Sequence, residues 1–260
     1  MLKNDWFKIG VVLFLMGGIG WGQCCVSSGK SSCGEQVQDV NQVLGRLSES
    51  AKELKSYQAK IEYEFSQPLF DSKTLRAGQL YYEKLPERSF LRINFQTLKQ
   101  DEDPNQEYVE QYIFDGVWLT NIDHQLKTVK KRKLAEPNEP VDAFELASQN
   151  FPVIGFSNVN DLQKDFEVTL VSDDKQAGIK LHLKVKDGSV YKNDYSAIDF
   201  WVDEKNYLPA RITTTTVDEE IYDIRFLDAK VNERIDKSVF ELNIPEDFGP
   251  VQIIEPEKNK

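Results

Sequence analysis

The sequence is poor in the residues that most often build catalytic and metal sites. Its 260 residues include two histidines and three cysteines, and all three cysteines lie among the first 33 positions. A cysteine–histidine nucleophile pair is therefore excluded unless the N-terminal segment folds back onto the rest of the chain. The motifs GxSxG, HExxH and GxGxxG and the phosphate-binding P-loop are also absent. We therefore expect no enzyme activity, no cofactor and no metal.

The two histidines and the acidic runs leave one enzymatic alternative. His124 follows Asp123 in a predicted hairpin turn, and His182 faces outward in a predicted strand. The acidic runs at 101–103 and 218–220 are typical of solvated loops, because an acid/base pair needs two unlike environments. A hydrolase with a dispersed serine–histidine–carboxylate triad remains open, because the members of such a triad can be far apart in sequence.

The sequence has no excess of positive charge. Its formal net charge is −11, and −12 without the first 22 residues, which carry two lysines and one aspartate. An acidic domain lacks the electrostatic footprint of a protein that binds nucleic acid or an anionic membrane. The exception is Lys127 with the basic run at 130–133. At strand spacing these charges fall on both faces, which predicts a solvated strand end or loop rather than a docking patch.

Long apolar runs are missing beyond residue 22. Before that point, two lysines precede an apolar and glycine run over residues 9–22, and Ser, Gly, Gln and Cys follow. This order is typical of a secretory signal, and Gly20-Trp21-Gly22 supplies the small-x-small cleavage pattern. The run is short for a membrane helix, which needs about 20 apolar residues. We therefore predict a signal peptide over residues 1–22, a mature chain from Gln23 and a periplasmic location.

Residues 23–34 form a leader rich in serine, glycine and cysteine. Cys24 and Cys25 stand where a bacterial lipoprotein carries its lipidated cysteine, so a lipid anchor there is the alternative to simple cleavage. Simple cleavage is favoured, because Gln23 and Trp21 are not the small and aliphatic residues that lipobox cleavage prefers. In an oxidising compartment, a disulfide of Cys33 with Cys24 or Cys25 is also open.

The rest of the chain predicts one α+β domain over residues 35–250 and a charged tail over residues 251–260. From 35 to 60, apolar residues recur at three- and four-residue steps, which predicts an amphipathic helix. From Ile61 to Phe65 the period becomes two, which predicts a half-buried strand. Short helices are predicted at 141–149 and 158–166. Further strands of one large antiparallel sheet are predicted at 78–84, 90–95, 107–114, 117–122, 125–131, 166–171, 179–186, 197–202, 210–217 and 220–227.

The clearest hairpin signal is the dipeptide Asp115-Gly116, which favours a type I′ turn. In a two-residue turn Phe114 faces Val117 and Ile113 faces Trp118. Both faces of this hairpin then carry apolar residues. The pattern indicates either ordinary two-layer packing or a sheet that is covered on one side and wraps a ligand on the other.

Six segments occur in an order that is known from one protein family. They are the helix from Glu35, Phe65-Ser66-Gln67, the strand GQLYYEKLP at 78–86, the aromatic-rich strand at 90–95, the hairpin FDGVW at 114–118 and the closing segment FELNIP at 240–245. In order and spacing they resemble the LolA/LolB family of periplasmic lipoprotein carriers, the outer-membrane lipoprotein-sorting proteins. The resemblance covers most of residues 35–250.

This resemblance implies an incomplete, strongly curved antiparallel β-barrel, with an N-terminal helix and short lid helices over an apolar cavity. It implies a carrier or chaperone for the acyl chains of lipoproteins or of a similar lipid, with membrane-bound loading and accepting proteins as further partners. We expect a monomer that binds no nucleic acid. By position and alternation, the candidate cavity residues are Leu80, Tyr82, Leu91, Ile93, Phe95, Ile113 and Trp118.

The sequence departs from the family at the lid. The carriers have an arginine before the proline that ends the strand at Pro86, and this arginine ties the lid shut; here the position is Leu85. Related domains of the same fold sense mislocalised lipoproteins or bind glycolipids, so the fold alone does not decide the function. A non-enzymatic lipid-sensing, lipoprotein-sensing or protein-interaction module is therefore the alternative.

Overall fold

The structure is a computed structural model that describes residues 39–143, 159–171 and 178–254. The predicted signal peptide and the leader with its three cysteines lie outside the described residues. So do most of the predicted C-terminal tail and most of the predicted helix at 141–149.

Twelve strands of the described chain form one curved, unclosed sheet. The neighbouring strands are antiparallel, except that β12 runs parallel to β6. The predicted incomplete antiparallel sheet is confirmed in this form. In chain order the strands are β1 (Ser56–Gln67), β2 (Ser72–Lys84), β3 (Ser89–Gln100), β4 (Gln106–Phe114), β5 (Trp118–Asp123), β6 (Thr128–Lys133), β7 (Phe166–Val171), β8 (Ile179–Val185), β9 (Tyr195–Val202), β10 (Pro209–Thr216), β11 (Ile221–Val231) and β12 (Gln252–Ile254). Their order in space is β12-β6-β5-β4-β3-β2-β1-β11-β10-β9-β8-β7.

Alternation along the strands divides the side chains between two faces of this sheet. On one face, which we call the inner face, apolar side chains from β7 through β5 belong to a single buried core. Cross-strand pairs continue it from strand to strand, as Ile212 pairs with Phe200 on one side and with Ile224 on the other. We call the opposite face the outer face.

Helix α1 (Val40–Glu53) covers part of the inner face. It is shorter than the predicted helix at 35–60, because the backbone becomes extended at Leu54 and β1 begins at Ser56. At this junction Asn232 Oδ1 accepts hydrogen bonds from the N–H groups of the first residues of the strand region. The apolar stripe of α1 that the periodicity predicted is buried in the core and consists of Val43, Leu44 and Leu47.

Helix α2 (Val159–Asp165) lies directly before β7 and occupies most of the segment predicted as helical at 158–166. Its Leu162 is buried in the main core. Two short 3-10 helices complete the described secondary structure, at Pro68–Phe70 and Lys237–Phe240.

The hairpin between β4 and β5 has a wider turn than the sequence predicted. Phe114 pairs with Leu119, and the chain crosses between the strands over residues 115–117. Asp115 Oδ1 accepts hydrogen bonds from the backbone N–H of Val117 at 3.0 Å and of Trp118 at 2.7 Å. An aspartate in this position stabilises such a turn by bonding to the backbone that follows it. The predicted pairing across the turn is therefore wrong by two residues.

The segment from residue 232 to residue 254 crosses the outer face. Its Phe240 ring lies 5.6 Å from the ring of Phe90. Farther on, Phe248 packs on a small cluster of buried outer-face residues, which we call the outer cluster and which consists of Ile113, Ile122 and Val129. Part of the predicted charged tail at 251–260 forms the strand β12, which pairs with β6 and is the edge strand of the sheet.

Candidate functional site

Five of the seven predicted cavity residues lie together on the inner face. Cross-strand pairing places Leu80 beside Ile93 and Tyr82 beside Leu91. All five belong to the main core, and their exposed fractions are 4% for Leu80, 2% for Tyr82, 5% for Leu91, 0% for Ile93 and 1% for Phe95. The structure therefore brings these residues together as one apolar wall.

The other two predicted cavity residues, Ile113 and Trp118, lie on the outer face. Ile93 pairs with Tyr112, so the neighbouring Ile113 points to the opposite side, where it joins the outer cluster. Trp118 lies near Lys131, whose ammonium nitrogen is 5.7 Å from the centre of the indole ring. The prediction that these two share a face with Ile93 is wrong. A shift of one residue in the β3–β4 register exchanges the two faces, and the sequence pattern does not define that register.

The inner face also contains residues that the sequence reasoning did not single out. Alternation at Ile61, Tyr63 and Phe65 did predict a half-buried strand. This strand faces the same core as β11 because Ile61 pairs with Phe226, a long-range contact that the local pattern does not predict. The additional inner-face residues of the main core include Tyr57, Ala59, Ile61, Tyr63, Leu181, Leu183, Ile198, Phe200, Ile212, Ile224 and Phe226.

A buried carboxylate interrupts the apolar inner face on β4. Glu110 is 5% exposed and receives three hydrogen bonds. Arg76 Nη1 donates to Oε2 at 2.9 Å, while the Tyr112 hydroxyl at 2.6 Å and Asn121 Nδ2 at 3.1 Å donate to Oε1. The Arg76 guanidinium also lies 5.3 Å from the centre of the Tyr108 ring. Because a buried charge is tolerated only when it is paired and hydrogen-bonded, these groups form one polar unit inside the apolar core.

The segment that leaves the sheet after β6 is tied to the inner-face strands β2 and β3. The Tyr82 hydroxyl donates to Asp142 Oδ2 at 3.1 Å, and Lys84 Nζ lies 3.7 Å from the same oxygen. The N–H of Ala143 donates to Ser89 Oγ at 2.7 Å. Leu85, where the LolA/LolB carriers have an arginine, is 37% exposed. At this edge of the inner face, an aspartate therefore makes contacts with a tyrosine and a lysine.

The outer face carries a compact group of paired charges around Trp201. The indole lies between Lys180 Nζ, at 4.7 Å from its ring centre, and the guanidinium carbon of Arg211, at 4.6 Å. Arg211 donates two hydrogen bonds of 2.7 Å to the carboxylate of Asp223, which also accepts from Arg225. Such bidentate and cation–π contacts hold the strands in register.

One histidine–carboxylate pair lies beside this group. His182 Nδ1 is 2.6 Å from Asp199 Oδ1. A catalytic triad also needs a nucleophile at the other ring nitrogen. Within the described part of the chain, no serine or threonine hydroxyl is hydrogen-bonded to the His182 ring. The pair by itself can orient the imidazole and stabilise the outer face.

Neither a metal-binding cluster nor a membrane-spanning helix occurs among the described residues. Over 39–143, 159–171 and 178–254, no three His, Cys, Asp or Glu side chains are grouped so that they could hold a metal ion. Over the same ranges, no helix has both the length and the apolar character to cross a membrane.

Buried tyrosines around the inner face make stability sensitive to alkaline pH. Burial, and then the nearby carboxylates of Asp203, Asp142 and Glu110, raise the pKa of Tyr57, Tyr82 and Tyr112 above the ordinary value. Above about pH 10, an unfolded tyrosine loses its proton while the folded one keeps it. The unfolded state then binds fewer protons, so the stability that is complete below pH 10 should fall as the pH rises.

The measurement is a series of urea unfolding curves through the alkaline range, with tyrosinate absorbance recorded in parallel. We expect absorbance from these tyrosines to appear together with unfolding. Tyr57→Phe should flatten the dependence of the unfolding free energy on pH. A variant with the same dependence as the wild type would contradict the assignment.

The comparisons with known proteins give distant structural similarities. No protein-family model matches the sequence, and no curated protein matches it. An uncharacterized conserved protein from Thermus thermophilus shares 12% identity with this chain, at a TM-score of 0.48, over 84% of this chain and 100% of that one.

Two further solved structures are similar. MucB in the MucA/MucB complex of Pseudomonas aeruginosa is 12% identical at a TM-score of 0.45, over 77% of this chain and 60% of that chain. This chain therefore spans less than two thirds of that neighbour. A LolA superfamily protein from Nitrosomonas europaea is 17% identical at a TM-score of 0.35, over 76% of this chain and 96% of that one. The solved structures similar to this chain thus include a member of the LolA superfamily.

Proposed function

We propose that this protein is a non-enzymatic, extracytoplasmic carrier that holds the acyl chains of lipoproteins or of a similar lipid on the inner face of its sheet. The observation that supports this most directly is the extended apolar inner face of an unclosed sheet. It extends from Leu181 on β8 through Ile61 on β1 to Phe114 on β4. Burial of an acyl chain is worth roughly 0.8 kcal/mol per methylene, so a large apolar face is the main requirement for binding one.

In this proposal, the ligand reaches the inner face when its cover moves. In the described chain, the cover consists of α1 and of residues 141–143, which pack on the main core. Asp142, held by Tyr82 and Lys84, is then the latch for this segment, in place of the arginine that the carriers have before the proline. A tyrosine–aspartate contact of this kind is weaker than a multiply hydrogen-bonded arginine, so we expect the cover to open more readily.

Two isoleucines on opposite faces test the proposal. Ile93 is fully buried on the inner face, and Ile113 is 5% exposed on the outer face. Ile93→Ala and Ile113→Ala should each destabilise the fold by about 2–4 kcal/mol, because both leave a cavity. Only Ile93→Ala should weaken binding of a fluorescent fatty-acid analogue, by roughly tenfold, since it removes apolar contact area from the acyl site. Urea unfolding and fluorescence titration on the same preparations measure the two effects.

The outer-face tryptophan supplies a second control. Trp118→Asp places a charge beside Lys131 on the outer face, so acyl binding per folded molecule should equal that of the wild type. Equal losses of acyl binding in Ile93→Ala and Ile113→Ala would contradict the proposed site. They would indicate that binding reports only the overall stability of the domain.

The alternative is a non-enzymatic sensing or protein-interaction module on the same fold. It is favoured by the exposed apolar side chains of Leu69 and Phe70, in the turn between β1 and β2, because exposed apolar groups are typical of contact surfaces. The same titration distinguishes the two functions. A pure interaction module should bind no fatty-acid analogue under conditions in which the wild-type domain is fully folded.

A further inference from the structure

Five turns of the described chain lie at the same end of the sheet. The end of β1 lies beside the start of β2 and the start of β11. Because the neighbouring strands are antiparallel, strand ends and strand starts alternate along this end of the sheet on both sides of β1. We call this end the turn end. Its turns are residues 68–71, 101–105, 124–127, 186–194 and 217–220.

The turn end carries the most exposed large apolar side chains of the described residues. Leu69 is 76% exposed, Phe70 75%, Val190 75% and Leu126 68%, and Val217 in the adjacent turn is 48% exposed. The next most exposed, Ile253 at 65%, lies elsewhere, on β12. Single exposed apolar residues are common on protein surfaces, but five of the twelve exposed large apolar side chains of the described residues lie at this one end.

Backbone structure and a side-chain hydrogen bond order the turn that carries Leu69 and Phe70. Pro68 opens the short 3-10 helix, and Asp71 closes it in the left-handed conformation with φ 50°. Gln67 Nε2 donates to Glu220 Oε1 at 3.0 Å, which joins the 68–71 turn to the 217–220 turn. The Leu69 and Phe70 side chains are therefore presented by ordered turns, which lowers the entropy cost of binding.

The charge of the turn end is strongly negative. Its five turns contain nine aspartates and glutamates against three lysines. At the 101–105 turn, Asp101 accepts the N–H of Lys73 at 2.6 Å, while Glu102 and Asp103 are exposed. The acidic side chains thus lie in the same set of turns as the exposed leucine, phenylalanine and valine.

We propose that the turn end docks a basic, apolar-rich protein segment, such as an amphipathic helix with lysines or arginines beside leucines. Charge complementarity identifies this partner, because a net negative rim attracts a basic segment and steers its approach. The same rim repels anionic lipid surfaces and a second copy of this chain, whose net charge is −11. The docking surface is separate from the inner face, so it operates whether or not the acyl site is occupied.

The test uses a short designed helical peptide of leucine and lysine, labelled for fluorescence anisotropy. The wild-type protein should bind it, and added salt should weaken binding. Leu69→Ser/Phe70→Ser should weaken binding at least about tenfold, because the apolar anchors of an interface carry most of its affinity. Glu102→Gln/Asp103→Asn should reduce the salt dependence. Ile253→Ser is the matched control, since it removes an exposed apolar group on β12, and it should bind as the wild type does.

Three outcomes would overturn the proposal. They are wild-type affinity in Leu69→Ser/Phe70→Ser, equal affinity for a peptide of leucine and glutamate, and binding to phosphatidylcholine vesicles in preference to the peptide. All of these variants change exposed groups, and their thermal midpoints should match that of the wild type. Fatty-acid binding by Leu69→Ser/Phe70→Ser should be unchanged, so a failure here and a failure of the proposed carrier function are distinguishable.

Discussion

Gly78→Ala should destabilise the protein by roughly 3 kcal/mol or more, because the next strand leaves no space for a side chain at this position. A Cβ atom on Gly78 would lie 1.9 Å from the carbonyl oxygen of Asn94 and 2.8 Å from the Cα atom of Phe95. Both atoms belong to the backbone of β3, next to a bulge between β2 and β3. To accept one methyl group, the two strands must therefore separate at the centre of the inner face.

Gly45→Ala is the matched control for this experiment. Gly45 lies within α1, and a Cβ atom there would meet no atom within 4 Å. Alanine in a helix interior is favoured over glycine by about 1 kcal/mol, so this variant should be more stable than the wild type. Urea unfolding monitored by circular dichroism measures both. Wild-type stability of Gly78→Ala would mean that β2 and β3 pair in a different register.

Glu110→Ala should lower the free energy of unfolding by about 3 kcal/mol, because it leaves Arg76 without its ion-pair partner on the inner face. The Glu110 side chain is 7% exposed and that of Arg76 is 21% exposed, so water compensates only part of the lost pairing. The variant also removes the acceptor of the Tyr112 and Asn121 hydrogen bonds. Arg76→Met/Glu110→Leu should recover part of the loss, because no charge then remains buried.

Glu62→Ala provides the comparison on the outer face. Glu62 Oε2 lies 3.4 Å from Arg225 Nη1, with side-chain exposures of 33% and 37%. A solvent-screened pair of this kind contributes at most about 1 kcal/mol. Chemical denaturation measures the free energy of unfolding of both variants. If Glu62→Ala and Glu110→Ala lower it by the same amount, the polar unit around Glu110 is not shielded from water.

Local pattern explains which parts of the fold were predictable. The stripe of Val43, Leu44 and Leu47 follows from helical spacing within a few residues, and the alternation in β1 follows from the strand period. The end of the helix was misplaced, because the apolar spacing continues past the point where Asn232, far along the chain, binds the start of β1. The turn at Asp115 was predicted too short, because a local dipeptide preference is weaker than the hydrogen bonds that the Asp115 carboxylate makes.

The same distinction separates the predicted site residues that share the inner face from the two that lie on the outer face. Leu80, Tyr82, Leu91, Ile93 and Phe95 lie on adjacent strands of one hairpin, where alternation and a short connection place them together. Ile113 depends on the pairing of β3 with β4, which are joined by a longer turn with a bulge nearby. The sequence carried no signal for the partners of Glu110, because they come from three different strands.

The elements and their apolar periods could be predicted from the sequence: one amphipathic helix, a long series of alternating strands and an acidic surface. These depend on neighbours a few residues apart, and their physical cause is local sterics and the cost of exposing apolar groups. Three features depend on long-range pairing: which face of each strand is the inner one, the pairing of β12 with β6, and the position of five turns with exposed apolar side chains at one end of the sheet. A strand with a period of two has two equivalent faces, and only its long-range register selects the one that is buried.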